Sequence, residues 1–168
     1  FILYTDEEII HLVELHRPDV VAIDAPLSYP QRRPESGVES DGAWRECDLA
    51  LLRRKIRLFP LTLGSMRELT RRGVALKNEL TRRGWLVIEV YPGGAQDVLG
   101  LPRARKDPVA LQKGLFELGM DGLSSRCSVH ELDAATAALV GLFYLQGKAV
   151  AYGDLNEGTI IMPPERKV

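Results

Sequence analysis

The 168-residue chain is 45% hydrophobic and 27% charged, enough for one well-buried core and too short for two. That composition excludes disordered and fibrous classes, and no apolar run nears the roughly 20 residues that span a bilayer. The net charge of −1 hides an asymmetry: residues 32 to 113 hold 17 Lys and Arg against 10 Asp and Glu, an excess of +7, which leaves −8 for the remainder.

In chain order, Phe1-Ile-Leu-Tyr4 reads as the end of a strand, too short for a signal-peptide core, so a cytoplasmic protein without a membrane partner is expected. Thr5 and Glu8 form a capping box, and Ile9, Leu12 and Val13 follow at helical spacing. Pro18 predicts that this helix ends near His16. The β-branched run from Asp19 to Asp24 predicts a strand. Residues 25 to 43, with Pro26, Pro30, Pro34, Gly37 and Gly42, read as a long loop.

Helices are expected over Trp44 to Lys55 and Ser65 to Arg83, the second broken at Gly73. Trp85 to Tyr91 is the clearest strand, ended by Gly93-Gly94, and a short helix follows. Asp107-Pro108 supplies an N-cap and a first-turn Pro for a helix to about Leu118. A second capping box, Ser128 to Glu131, opens a helix with no charge from Ala134 to Leu145. Val150 to Tyr152 and Thr159 to Met162 suggest a hairpin. This order of elements argues a layered α/β domain, and the two Cys, 47 and 127, read as reduced thiols.

Three acids stand where a carboxylate is costly. Asp24 ends an apolar strand, Glu89 lies inside another, and Asp133 is in the first turns of an apolar helix. If the two strands are parallel neighbours, Asp24 and Glu89 both lie toward the carboxyl ends, where open α/β sheets bind ligands. His130 and Asp133, three apart, share a helix face. Carboxylates suit Mg²⁺ or Mn²⁺, and His130 suits proton exchange with an attacking water. The set Asp24, Glu89, His130 and Asp133 is thus the candidate catalytic group, the three acids being the candidate metal ligands. Each acid also has a plainer reading: a turn cap at Asp24, an Arg partner or a solvent-facing edge for Glu89, a helix-dipole contact for Asp133. The basic segment that Arg32 and Arg33 open suits phosphate contacts, with solvated helix faces as the alternative.

VVAIDAPLSYP, Arg45-Glu-Cys47-Asp48, VIEVYPGGAQDVLG, HELDAATAALVGLFYLQGKA and AYGDLNEGTIIMP together resemble a family of predicted nucleases, catalogued as a domain of unknown function, with a ribonuclease H-like fold. The His130-x-x-Asp133-Ala134 pattern is also similar to the Holliday-junction resolvases of that superfamily. The resemblance covers nearly the whole chain. It implies one ribonuclease H-like domain over residues 1–168, a three-layer α/β fold with a mixed sheet and a helical insertion at about 44–83. It further implies a metal-dependent nuclease, in which Asp24 matches the fourth-strand acid, His130 and Asp133 match the helix positions, and Glu89 falls on the fifth strand. Arg45 and Asp48 fall on another family motif, implying substrate contact or mutual pairing. The superfamily's opening strand pair, whose first strand carries an essential Asp, has no counterpart ahead of Phe1, so the expected sheet is two strands short and its edge invites a partner copy or a further segment. A nucleic-acid- or protein-binding module on the same fold is the alternative. A phosphotransferase using Gly93-Gly94 as a phosphate cradle is a third reading.

Overall fold

The computed structural model describes residues 2–31 and 42–165. Four strands form one mixed sheet in the order β1 (Val21–Ile23), β2 (Val87–Val90), β4 (Gly158–Met162), β3 (Val150–Asp154). β1 runs parallel to β2 and β2 parallel to β4, while β3 and β4 form the antiparallel hairpin.

Helices cover both faces, as a sheet with apolar strands requires. On one face, α6 (Val129–Leu145) and α4 (Pro92–Val98) enclose Ile88, Val90 and Ile161 with Ala95, Ala137 and Val140. On the other, α1 (Asp6–His16) and α3 (Gly64–Arg82) pack Val13, Leu76 and Leu80 over Val21, Ile23 and Val87. α2 (Glu46–Arg53) adds Cys47 and Leu51 against Ile160 and Met162 on that same face. α5 (Pro108–Glu117) packs beside α6 through Leu111, Leu115, Leu132 and Leu139. Each such fully buried aliphatic side chain contributes about 1.5–3 kcal/mol.

The local signals act through identifiable bonds. Thr5 Oγ accepts the Glu8 N–H and Glu8 Oε2 accepts the Thr5 N–H, closing the capping box of α1. Ser128 and Glu131 do the same for α6, and Asp107 caps α5. Three expectations give way in the fold. Residues 2–4 form no strand, for the Tyr4 N–H is taken by Glu8 Oε2 rather than by a neighbouring strand. α3 runs unbroken through Gly73, whose missing Cβ instead admits the loop after β1: a Cβ there would lie 2.7 Å from the Pro26 carbonyl oxygen. Gly93 and Gly94 likewise fall inside α4, not in an open turn. A Cβ on Gly94 would meet Tyr91 at 2.7 Å, so that position serves close packing rather than a phosphate cradle.

No helix among the described residues is long and apolar enough to cross a membrane.

Candidate functional site at the carboxyl ends of the parallel strands

β1 and β2 are parallel neighbours, with Ile23 opposite Glu89. Side chains alternate along strands, so Glu89 shares the α2–α3 face with Ile23, while Asp24 is the first residue after β1. The two acids lie at the same end of the sheet, and both line one cleft there.

Glu89 is met by Arg45, the residue immediately ahead of α2. Arg45 is 1% exposed, Asp48 3% and Glu89 6%. The guanidinium donates to Glu89 Oε1 at 2.6 Å and Oε2 at 2.7 Å, and to Asp48 Oδ1 at 2.8 Å and Oδ2 at 3.0 Å. A further bond to Ser28 Oγ at 3.1 Å uses its remaining N–H, so all five guanidinium donors are satisfied. The backbone N–H groups of Leu27 and Arg45 donate to Glu89 Oε2 and Asp48 Oδ2. Burial pushes the Glu89 carboxyl up, while Arg45 and the Leu27 amide oppose it. Every group facing the Glu89 oxygens is a donor, so a proton placed there would point at another proton. Glu89 is therefore held as a carboxylate. Of the alternatives open for this residue, the Arg partner is the one observed. Arg45 and Asp48 pair with each other in the same cluster.

Asp24 and Asp133 come together from β1 and α6. Asp24 is exposed by surface area, yet protein walls crowd its carboxyl. That partial desolvation, then the charge of Asp133, then that of Glu89, pushes it up to about 7. Asp133 is half-buried, and one of its oxygens accepts from Gln96 Nε2 at 2.9 Å. Gln96 is fully buried in α4 and anchored by Thr136 Oγ and by the Ala104 N–H, which donates to its Oε1. It thus fixes Asp133 in place. His130 is exposed on the first turn of α6.

Two mutually repelling carboxylates fit a hard divalent ion that keeps most of its waters, since Mg²⁺ is commonly held by one or two carboxylates. A third ligand does not join them, and no group of three or more His, Cys, Asp or Glu side chains able to hold a metal occurs among the described residues. Asp24 and Asp133 are thus the residues that would hold such an ion.

A cleft of about 150 Å³ opens beside Asp24. Arg45, Asp48 and Glu89 line its floor, and Leu58, Phe59, Leu61 and Met66 are among its walls. The basic middle segment is largely paired: Arg71 with Glu68, Arg72 with Asp6, Arg82 and Arg83 with Glu79, Arg103 with Asp97. Arg32 and Arg33 lie outside the described residues. Two participants escape a reading of the residues alone. Gln96 carries only a weak signal, a polar side chain in a short helix after two glycines, and Phe59 carries none beyond being aromatic in a loop. No known protein family, curated protein or solved structure matches this chain, and its function rests on the site itself.

Proposed function

We propose that the chain is a divalent-metal-dependent hydrolase of phosphodiester bonds in nucleic acid, built on a ribonuclease H-like arrangement. The observation that carries this reading is the facing pair Asp24 and Asp133, delivered by different elements to the open end of the parallel strands. Bound there, Mg²⁺ or Mn²⁺ would polarise the phosphoryl group and lower the pKa of a water nucleophile. The protein's own part is to hold two carboxylates, one of them locked by Gln96, and to let His130 on the same helix accept a proton. The Arg45 cluster fixes the floor beside them and keeps β2, α2 and the loop after β1 in register.

The test is cleavage of labelled single-stranded, duplex and branched DNA and RNA with Mg²⁺ or Mn²⁺, with Asp133→Asn as control. Metal-dependent cutting that the substitution reduces by at least 100-fold supports the reading, a loss of roughly 3 kcal/mol of transition-state stabilisation. Equal cutting by both proteins, or none by either when folded, sinks it. The engagement of Glu89 by Arg45, which leaves two acids rather than three, favours a second reading as a non-catalytic nucleic-acid- or protein-binding module. Salt-sensitive nucleic-acid binding without cleavage would single that out.

A further inference from the structure

The cleft beside Asp24 has walls and a floor of different chemistry. Its walls are apolar and include an aromatic ring at the lip, for Phe59 is 69% exposed. Leu69, also lining it, is 40% exposed. A volume of about 150 Å³ matches one six-membered ring, since an apolar protein cavity of that size takes up benzene.

The floor adds a polarity. All five donors of Arg45 are consumed by Asp48, Glu89 and Ser28, so the guanidinium has none left for a ligand. Carboxylate oxygens keep spare lone pairs: Glu89 Oε1 accepts one bond, and Asp24 stands open at the mouth. The cleft therefore asks its ligand for donors and offers acceptors. A ligand with an apolar ring and a donor on its edge satisfies both regions.

We propose that this cleft is a nucleobase slot, and that it takes an amino-bearing pyrimidine, cytosine. The proposal rests on the nucleic-acid reading above and names the part of the substrate that enters. Cytosine presents its amino group to the carboxylates, whereas uracil would turn a carbonyl oxygen toward them. The ring stacks on Phe59, as bases do on aromatic side chains in single-strand sites. A base held in a duplex cannot reach the floor, so the strand entering here is single or locally opened.

The experiment is a metal-free NMR titration of the full chain with cytidine 5′-monophosphate, uridine 5′-monophosphate and ribose 5-phosphate, following the Met66 and leucine methyl signals. Cytidine monophosphate should shift the Met66 methyl, uridine monophosphate should bind at least about tenfold more weakly, and the sugar phosphate should leave the signal in place. Phe59→Ala should weaken cytidine monophosphate roughly 5- to 150-fold, the span that alanine substitution of a stacking aromatic gives. Its ring is mostly exposed, so the urea midpoint should not move. An unmoved Met66 signal at millimolar nucleotide, or equal binding of all three ligands, overturns the slot. Cleavage dependent on Asp133 without nucleotide binding would remove the slot and leave the hydrolase. Nucleotide binding without cleavage would do the reverse.

Discussion

Replacing Arg45 by Met removes a guanidinium that is 1% exposed and leaves Glu89 and Asp48, 6% and 3% exposed, facing each other without a cation. Breaking a buried ion pair by deleting one partner costs about 3–5 kcal/mol, because the remaining charge keeps its desolvation penalty. Two carboxylates share this cation, so the upper part of that range is expected. Against a total stability of about 5–15 kcal/mol, the variant should lose about a quarter or more. Arg45→Lys should recover little, since an ammonium cannot present two parallel pairs of donors to two carboxylates. The deficit should shrink as pH falls. With Arg45 absent, burial leaves the Glu89 pKa raised in the folded state, so protonation there favours folding, and that stabilisation is lost as pH rises through the raised value. Urea unfolding of both proteins between pH 5 and pH 8, followed by tryptophan fluorescence, checks this. The added substitution Glu89→Gln should return part of the loss at pH 8. A cost below about 1 kcal/mol at pH 8, or one independent of pH, would refute the assignment of Arg45 as the counter-ion of the buried acids.

Asp24→Asn should stabilise the protein at pH 8.5 by about 1 kcal/mol, once the exposure of this residue is allowed for, with the difference fading toward pH 4. The sign follows from a folded-state pKa raised from 3.8 to about 7: the favourable protonated form is complete below 3.8 and lost as pH rises through about 7. Thermal unfolding at the two pH values decides it. Mg²⁺ or Mn²⁺ at pH 8 should raise the wild-type Tm and leave Asp24→Asn unmoved; an equal rise in both would place the ion elsewhere. Gly73→Ala adds helix propensity of about 1 kcal/mol but forces a Cβ within 2.7 Å of the Pro26 oxygen, so a net loss of about 1–3 kcal/mol is expected in urea unfolding. A more stable Gly73→Ala protein would contradict that packing. Gln96→Ala should lower metal affinity about 10- to 100-fold by releasing Asp133, with metal titration as the readout.

What the residues disclose in advance is local. The capping boxes at Thr5 and Ser128, the Asp107-Pro108 start and the uncharged length of α6 each act within a few residues, and each sits where its spacing puts it. The parallel pairing of β1 and β2 follows from two apolar runs separated by helices, and it brings Asp24 and Glu89 to one end of the sheet. Which groups meet each of them is set by tertiary packing, which no periodicity within a single strand carries. Arg45 could be read as substrate contact or as a pairing partner, because nothing in the segment that holds it reveals that the chain returns 44 residues later with a carboxylate beneath it. Gly73 looks like a helix break because its role belongs to the loop at Pro26, 47 positions earlier.

The tip of the β3–β4 hairpin has a reach beyond its own strands. Glu157 accepts the Glu46 N–H at 2.6 Å and the Gln31 N–H at 2.8 Å, so the hairpin turn holds the first turn of α2 and the far side of the loop after β1. A carboxylate at that helix start also complements its dipole. The segment that seats Arg45 is therefore completed only when residues made 111 positions later have folded back. A nascent chain that has not yet made the β3–β4 hairpin would carry the arginine, Asp48 and Glu89 without this brace, and the cleft would take its full shape only once that hairpin folds back.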